Sequence, residues 1–180
     1  MSDLNAEKLS IEKPYFTFVW AEDEKGLIGN KGKLPWHLPA EMKHFVKVTT
    51  GDIVVMGRKS YESIPNPPLK NRLNIVLTRN KDYQAEGAVI CHSKKELMDY
   101  LKEKSFEKAI HIIGGSTIFD LFMEEVSVLY RTVIHESFKG DTYMPEIDYH
   151  QFICLDQTSG LEDDKNKYSH SFYLYERKKS

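Results

Sequence analysis

Short apolar runs that alternate with helical patterns constrain the fold of this chain more than any other feature. The runs at 53–56, 75–77 and 109–113 are apolar at nearly every position instead of at every second one. Such strands are buried on both faces, as in parallel sheets packed between helices. Further strands are expected at 15–21, 88–91 and 129–136, and helices at 39–48, 58–64, 93–104 and 116–123. The pattern therefore predicts an α/β fold with a mostly parallel sheet and about four helices on its two faces.

The carboxyl-terminal part of the chain follows a different pattern. Apolar runs at 152–155 and 171–175 flank a polar turn at 160–167, which predicts an antiparallel pair of strands. A chain of 180 residues fits one globular domain. We therefore expect one domain at 14–180, preceded by a polar and flexible extension at 1–13.

Composition and charge argue against several classes of protein. The 25 Lys and Arg residues nearly balance the 27 Asp and Glu residues, so no broad basic field attracts nucleic acid or an anionic membrane. No apolar run reaches the length of about 18 residues that a membrane span needs, and the first residues match neither a signal peptide nor a transit peptide. Cys91 and Cys154 are isolated, as is typical of reduced thiols in the cytoplasm. The seven histidines show no metal-binding spacing, so no metal is expected.

Glycines and cations follow three of the expected strands, in the segments Gly57-Arg58-Lys59-Ser60, Thr78-Arg79 and Gly114-Gly115-Ser116-Thr117. Each segment alone is more simply explained by a solvated charge or a tight strand-to-helix turn. Parallel strands, however, bring their carboxyl ends to one edge of a sheet, where ligands bind. Together the segments predict a groove for the pyrophosphate of an adenine dinucleotide, and the extra cations favour its 2′-phosphorylated form.

Glu41 is the candidate acid. It lies in the first turn of the expected helix at 39–48, where the helix dipole stabilises a carboxylate, and that alone would explain its presence. Its neighbours Trp36, Met42 and Phe45 are apolar, however, so we expect its carboxyl group to be desolvated and its pKa raised. An acid with a pKa near neutrality suits general acid catalysis.

Five ordered segments resemble the dihydrofolate reductase family. They are Leu27-Ile28-Gly29, Leu34-Pro35-Trp36-His37-Leu38-Pro39-Ala40-Glu41, Met56-Gly57-Arg58-Lys59-Ser60-Tyr61-Glu62-Ser63-Ile64, Ile113-Gly114-Gly115 and Gly140-Asp141-Thr142. The resemblance, of the bacterial type, covers residues 15–177. It implies a twisted, mostly parallel sheet of eight strands with an antiparallel C-terminal strand, and the reduction of 7,8-dihydrofolate to tetrahydrofolate with NADPH. It also implies that antifolate inhibitors bind and that the protein is a monomer.

The resemblance assigns roles to individual residues. Glu41 would bind the 2-amino group and N3 of the pterin and promote protonation of N5, through a water near Trp36, while hydride passes to C6. Thr132 would support Glu41, and Arg72 would bind the α-carboxylate of the glutamate tail. The substrate slot would be lined by Val19, Ala21, Glu41, Met42, Phe45, Ile64, Leu69, Arg72 and Thr132. The cofactor would be held by Ala21, Ile28, Gly57, Arg58, Lys59, Ser60, Leu77, Thr78, Arg79, Ile113, Gly114, Gly115, Ser116, Thr117 and Phe119.

Other features of the chain bear on this resemblance. The acid is Glu rather than the more frequent Asp, Phe119 stands where tyrosine is frequent, and residues 1–13 have no family counterpart. The Gly114–Gly115 peptide bond is expected to be cis. Residues 26–38 are expected to form a lid that is steadied by hydrogen bonds from Gly140-Asp141.

Two other functions share parts of this pattern. A non-catalytic nucleotide-binding module would keep the glycines and cations but would have no use for a buried carboxylate. A reductase of a ribosylated pyrimidine would share the fold and the cofactor. Arg72 and the apolar residues around Phe45 favour folate over that pyrimidine.

Overall fold

Residues 4–180 are described by the structure, a computed structural model, and its elements lie close to the positions that the apolar runs predict. The strands are β1 (Tyr15–Glu22), β2 (Leu27–Gly29), β3 (Ile53–Gly57), β4 (Leu73–Leu77), β5 (Ala88–Cys91), β6 (Ala109–Gly114), β7 (Val126–Ile134), β8 (Thr142–Tyr143), β9 (Phe152–Ser159) and β10 (His170–Arg177). The α-helices are α1 (Pro39–Thr49), α2 (Arg58–Glu62), α3 (Lys94–Lys104) and α4 (Ser116–Leu121).

Eight of these strands form one sheet in the order β5-β4-β3-β6-β1-β7-β10-β9. Every pair from β5 to β7 is parallel, whereas β10 runs antiparallel to both β7 and β9. The predicted mostly parallel sheet with an antiparallel carboxyl-terminal pair is therefore confirmed. The four helices lie on both faces, as the apolar runs require.

The residues of β3 show why these runs are continuous. Val54 and Met56 pack with Tyr61 of α2 on one face of the sheet. Val55 points to the other face and packs in the cluster that contains Leu97 of α3. All four residues from 53 to 56 are fully buried. A strand between two layers of helices has no solvent-facing side on which a polar residue is favoured.

A capping box is present at the start of α3 in a slightly shifted form. Ser93 Oγ accepts a hydrogen bond from the Glu96 backbone N–H at 3.1 Å. The Glu96 carboxylate accepts from the N–H of His92 at 2.8 Å, one residue before the N-cap. Both side chains thus satisfy donors at the helix start, as such boxes do.

The structure changes the predicted bounds of several elements and adds two strands. The strand predicted at 129–136 is β7 at Val126–Ile134, because pairing with β1 extends the strand past the polar Ser127. The helix predicted at 116–123 ends at Leu121, and that at 58–64 ends at Glu62. Strands β2 and β8, which the apolar runs do not predict, pair with each other, and three-residue and two-residue strands leave too short a pattern to recognise.

The amino-terminal extension makes specific contacts with the domain. The Ser10 N–H and Oγ each donate to the Glu176 carboxylate at 2.7 Å, and the Asn5 N–H donates to Asp156 at 3.0 Å. Leu9 packs beside β7 and β10. Residues 4–13 therefore contact the sheet, while the expected flexibility of the extension remains a prediction; residues 1–3 of that extension lie outside the described residues.

Candidate active site

The site lies at the carboxyl ends of β1 and β7, where α1 begins. Ala21 on β1 is paired with Thr132 on β7. Ala21 also belongs to the buried apolar cluster that contains Trp36 and Leu38, immediately before α1. Later residues of α1 pack further down the same face, so the first turn of the helix is held at the edge of the sheet.

Glu41 occupies that first turn and is only 9% exposed. Burial raises its pKa from 4.5 to about 7, and desolvation is the sole cause. Within residues 4–180 no side chain is found in a hydrogen bond or ion pair with its carboxyl group. The prediction of a desolvated acid with a raised pKa is confirmed.

Trp36 and Thr132 are both buried near this acid. Trp36 packs on Phe138 with ring centroids 5.4 Å apart, and no atom of the described residues accepts a hydrogen bond from its Nε1. Thr132 faces the same side of β7 as Tyr130, whose ring lies 6.4 Å from that of His44 on α1. Thr132 is thus on the face that α1 covers, while its support of Glu41 remains a prediction.

The residues assigned to the substrate slot come together in two adjoining groups. Val19 and Phe45 belong to one apolar cluster, and Ile64 and Leu69 belong to another. Ile113 packs against both clusters and therefore joins them. Apolar side chains from β1, α1 and the segment after α2 thus surround one region of the sheet edge.

Two further residues of the expected slot mark its outer end. Met42 is half exposed, which places it at the rim of the site. Arg72 Nη1 donates to Thr49 Oγ1 at 3.1 Å and Nε donates to the Lys70 carbonyl at 2.8 Å. Its guanidinium lies 5.9 Å from the ring centroid of Phe45. Arg72 is therefore held in a fixed position at the outer end of α1.

The glycines expected to contact the cofactor meet where β4, β3 and β6 end side by side. A Cβ placed on Gly114 or on Gly115 would lie 3.7 Å from Ser60 Oγ, and one on Gly57 would lie 4.0 Å from the Gly114 carbonyl oxygen. The Gly114–Gly115 peptide bond is cis, as expected. Neither α2 nor α4 has a side-chain N-cap, so their first amide groups remain available to an anion.

The cations at this edge are exposed. Lys59 and Arg79 face solvent, and Arg58 lies 3.4 Å from Glu62 and 5.0 Å above the ring of Tyr83. Of the remaining residues of the expected cofactor set, Ile28, Thr78, Ile113, Ser116 and Thr117 are partly or fully exposed, and Leu77 is buried. Two of the three segments therefore place exposed cations at the ends of β3 and β4, beside the glycine pair that ends β6.

Phe119 has a different environment from the rest of that set. It is fully buried, and its ring lies 5.1 Å from that of Phe18 in the core. One edge of the ring approaches Gly114, since a Cβ there would lie 3.6 Å from its Cε2 atom. Phe119 thus forms the floor beneath the glycine pair rather than an exposed contact.

The expected lid is hydrogen-bonded to the segment around Asp141. The Lys31 N–H donates to Asp141 Oδ2 at 3.1 Å, and the Asp141 N–H donates to the Gly29 carbonyl at 3.2 Å. A Cβ on Gly140 would lie only 2.6 Å from that same carbonyl oxygen, so the approach requires glycine. The hydrogen bonds predicted between Gly140-Asp141 and the lid are confirmed.

Sequence reasoning missed the residue that anchors the base of this lid. Asp23 is fully buried. Its Oδ1 accepts from the N–H groups of Lys25 and Leu27, at 2.8 and 2.9 Å, and its Oδ2 accepts from the Phe138 N–H at 2.9 Å. An Asp three residues before Gly26 is a signal for such a turn, but the long-range bond to Phe138 has no local signature.

Across residues 4–180 no group of three or more His, Cys, Asp or Glu side chains is arranged to hold a metal ion. In that same part of the chain, no helix combines the length and apolarity that crossing a membrane requires.

The fold and the site together define a class: an α/β protein with a glycine-rich edge at the carboxyl ends of its parallel strands and a buried acid beside it. Comparison with protein families narrows this class, because the model of the dihydrofolate reductase family matches residues 15–177. The chain belongs to the dihydrofolate reductase family.

Individual relatives agree with this membership. The dihydrofolate reductase of Lactococcus lactis is 42% identical over 164 residues, covering 89% of this chain and 96% of that protein. The Bacillus subtilis dihydrofolate reductase is 37% identical over 164 residues, covering 91% of this chain and 95% of the relative. A structure of Enterococcus faecalis dihydrofolate reductase complexed with NADP(H) and RAB-propyl has a TM-score of 0.86 and 43% identity, and covers 92% of this chain and 97% of the other.

Proposed function

We propose that this chain performs the NADPH-dependent reduction of dihydrofolate with Glu41 as the acid that promotes protonation of pterin N5. The observation that carries the proposal is the burial of Glu41 without a polar partner among the described residues. With a pKa of about 7, its carboxyl group is about half protonated at neutral pH. It can therefore both donate and accept hydrogen bonds under physiological conditions.

The pterin would be held by its amino-pyrimidine edge. The two oxygens of the ionised Glu41 carboxylate would accept hydrogen bonds from the 2-amino group and from the N3–H of that ring. Trp36 lies at the same edge, and its buried Nε1 would hold a water molecule that relays a proton towards N5. Thr132 would fix the orientation of Glu41 from the sheet side.

NADPH supplies the hydride that C6 of the pterin receives. The residues of the expected groove fit this cofactor, because the glycine pair that ends β6 carries no side chains and two uncapped helices begin beside it. Arg58, Lys59 and Arg79 would neutralise its phosphates. The lid at residues 26–38 would exclude water from the reacting rings.

The glutamate tail of the substrate would extend towards Arg72. Two of the guanidinium donors of Arg72 are engaged with Thr49 and Lys70, which fixes the plane of the group. The remaining donors would bind the α-carboxylate, and the apolar part of the tail would pack on Phe45 and Met42.

The acid role predicts a large effect of Glu41→Ala. We expect kcat/KM for dihydrofolate at pH 7 to fall by about 10²- to 10⁴-fold, since that is the usual contribution of a positioned acid. The assay follows the loss of reduced-nicotinamide absorbance, with Glu103→Ala, an exposed acid on α3, as the control. Turnover by Glu41→Ala close to that of the unaltered protein would rule the role out.

The same role predicts how the rate depends on pH. Because the Glu41 pKa is about 7, kcat/KM should be constant below that pH and fall about tenfold per pH unit above it. A profile measured from pH 5 to pH 9 checks this. A rate that stayed level to pH 9 would mean that the acid is another group.

We further propose that the protein acts in the cytoplasm as a monomer and binds antifolate inhibitors in the same slot. Cys91 and Cys154 are unpaired, with Cys91 buried and Cys154 exposed, which suits a reducing compartment. Sedimentation velocity at micromolar concentration tests the monomer, and competition of an antifolate with dihydrofolate tests the shared slot.

A further inference from the structure

The helix that carries Glu41 has no capping side chain of its own. The residue before it, Leu38, offers no hydrogen-bond acceptor, and Pro39 contributes no N–H. The first free donor of the helix is the Ala40 N–H, directly before Glu41. This N–H donates to Asn166 Oδ1 at 2.7 Å, across 126 residues of sequence. A residue of the β9–β10 loop thus takes the place of the missing local cap.

Asn166 is itself held in a defined orientation. Asp163 Oδ1 accepts from the Asn166 N–H at 2.8 Å and from Asn166 Nδ2 at 3.1 Å. The same oxygen accepts from the Lys165 N–H at 2.9 Å. Because its amide nitrogen is engaged with Asp163, the amide oxygen of Asn166 is directed at Ala40. The loop is therefore built around the group that reaches α1.

The same loop also packs against the aromatic side chains that surround Trp36. Tyr168 packs edge-on against Phe138, with ring centroids 5.1 Å apart. Phe138 in turn packs against Trp36 at 5.4 Å. The loop thus contacts two segments next to Glu41. It reaches the start of α1 through Asn166, and it reaches Trp36 through Tyr168 and Phe138.

We infer that Asn166 is a positioning residue for the reaction: it caps the first turn of α1 from the β9–β10 loop and so holds Glu41 in its buried place. The inference depends on the proposed role of Glu41 as the acid. Asn166 acts only through the helix start, since its amide oxygen contacts the Ala40 backbone.

Loss of this cap has a specific chemical consequence. Without the acceptor the Ala40 N–H must find water, which opens the first turn beside the Glu41 carboxyl group. Burial is the only cause that raises the Glu41 pKa, so entry of water lowers it towards its ordinary value. A loss of general stability alone would leave the pH dependence of the rate unchanged.

The test compares Asn166→Ala, the exchanged pair Asp163→Asn/Asn166→Asp and Lys165→Ala by steady-state kinetics from pH 5 to pH 9. For Asn166→Ala we expect kcat to fall roughly fivefold, because loss of an N-cap shifts the equilibrium of a helix start by about two- to thirtyfold, with the midpoint of the kcat/KM profile moved to lower pH. The exchanged pair keeps an acceptor oxygen at position 166 and a donor beside it without placing two carboxylates in contact, so it should restore kcat to within about twofold. Lys165 hydrogen-bonds to Asp163 through its backbone N–H, which Lys165→Ala keeps, so this variant should behave as the unaltered protein.

Either of two results overturns the inference: unchanged kcat and pH midpoint in Asn166→Ala, or an equal loss in the exchanged pair Asp163→Asn/Asn166→Asp. If Asn166→Ala does not fold, Asp163→Ala releases the Asn166 side chain without removing it and should move the midpoint in the same direction; an unmoved midpoint there overturns the inference as well. Glu41→Gln is measured in parallel. If Glu41→Gln is active, Glu41 is not the acid and the proposed function is wrong. If Glu41→Gln is inactive but Asn166→Ala is unaffected, only the positioning role of Asn166 is wrong.

Discussion

Two acids at opposite edges of the same sheet have contrasting surroundings. Glu41, at the carboxyl edge, is buried without a polar partner among the described residues. Asp52, at the amino edge just before β3, lies 2.9 Å from His111 Nε2 on β6. His111 Nδ1 in turn lies 2.6 Å from Thr17 Oγ1 on β1. Asp52 thus belongs to a hydrogen-bonded network that reaches β6 and β1, whereas Glu41 has no such partner among the described residues.

The contrast shows how one sheet separates stability from chemistry. Buried polar groups that satisfy one another fix the register of neighbouring strands and cost little. A buried acid without a partner costs folding free energy but keeps a proton available near neutral pH. The amino edge of this sheet therefore holds the strands together, and the carboxyl edge keeps the reactive group.

The largest expected effect tests the satisfied network. His111→Ala leaves a cavity and removes the partner of both Thr17 and Asp52, so we expect the free energy of unfolding to fall by about 4 kcal/mol. Urea denaturation at pH 7 measures it, with His150→Ala, a fully exposed histidine, as a control that should change stability by under about 0.5 kcal/mol. A loss below about 1 kcal/mol in His111→Ala would show that the network contributes little.

The next effect concerns Glu41: here a substitution is expected to raise the free energy of unfolding instead of lowering it. The Glu41 pKa of about 7 exceeds its ordinary value of 4.5, so ionisation destabilises the folded state as the pH rises through this interval. Glu41→Gln should therefore raise the free energy of unfolding by about 3 kcal/mol at pH 8 and by little at pH 4. Urea denaturation at both pH values measures the difference, with Glu103→Gln as control. Equal stability of Glu41→Gln and the unaltered protein at pH 8 would contradict a desolvated Glu41.

The smallest expected effect concerns the lid, which belongs to the carboxyl edge but is held by exposed groups. Asp141→Ala removes the acceptor of the Lys31 N–H. We expect hydride transfer to slow, and cofactor release to quicken, by roughly two- to fivefold, because a lid held by fewer hydrogen bonds closes less often. Pre-steady-state kinetics separates the two steps. If both rates stayed the same, the lid and the Asp141 segment would not be coupled.

Much of this site was predictable because its residues follow local rules. Glycine and cations after apolar strands indicated the groove, and apolar neighbours indicated a raised Glu41 pKa, as the structure confirms. Asp23 and Asn166 were not recognised, because their partners lie 115 and 126 residues away. The role of His111 was likewise not predicted, because its partners Asp52 and Thr17 lie in distant parts of the sequence.

The sequence by itself determined the alternation of strands and helices, the two-faced burial of the parallel strands and the family to which the chain belongs. These depend on hydrophobic pattern and on contiguous motifs, which act over a few residues. Only the tertiary structure decided which polar groups are satisfied: Asp52 acquires a partner, Glu41 does not, and α1 is capped from a distant loop. Hydrogen bonds act over about 3 Å, so they depend on which segments folding brings together, and the spacing of residues along the chain does not record that.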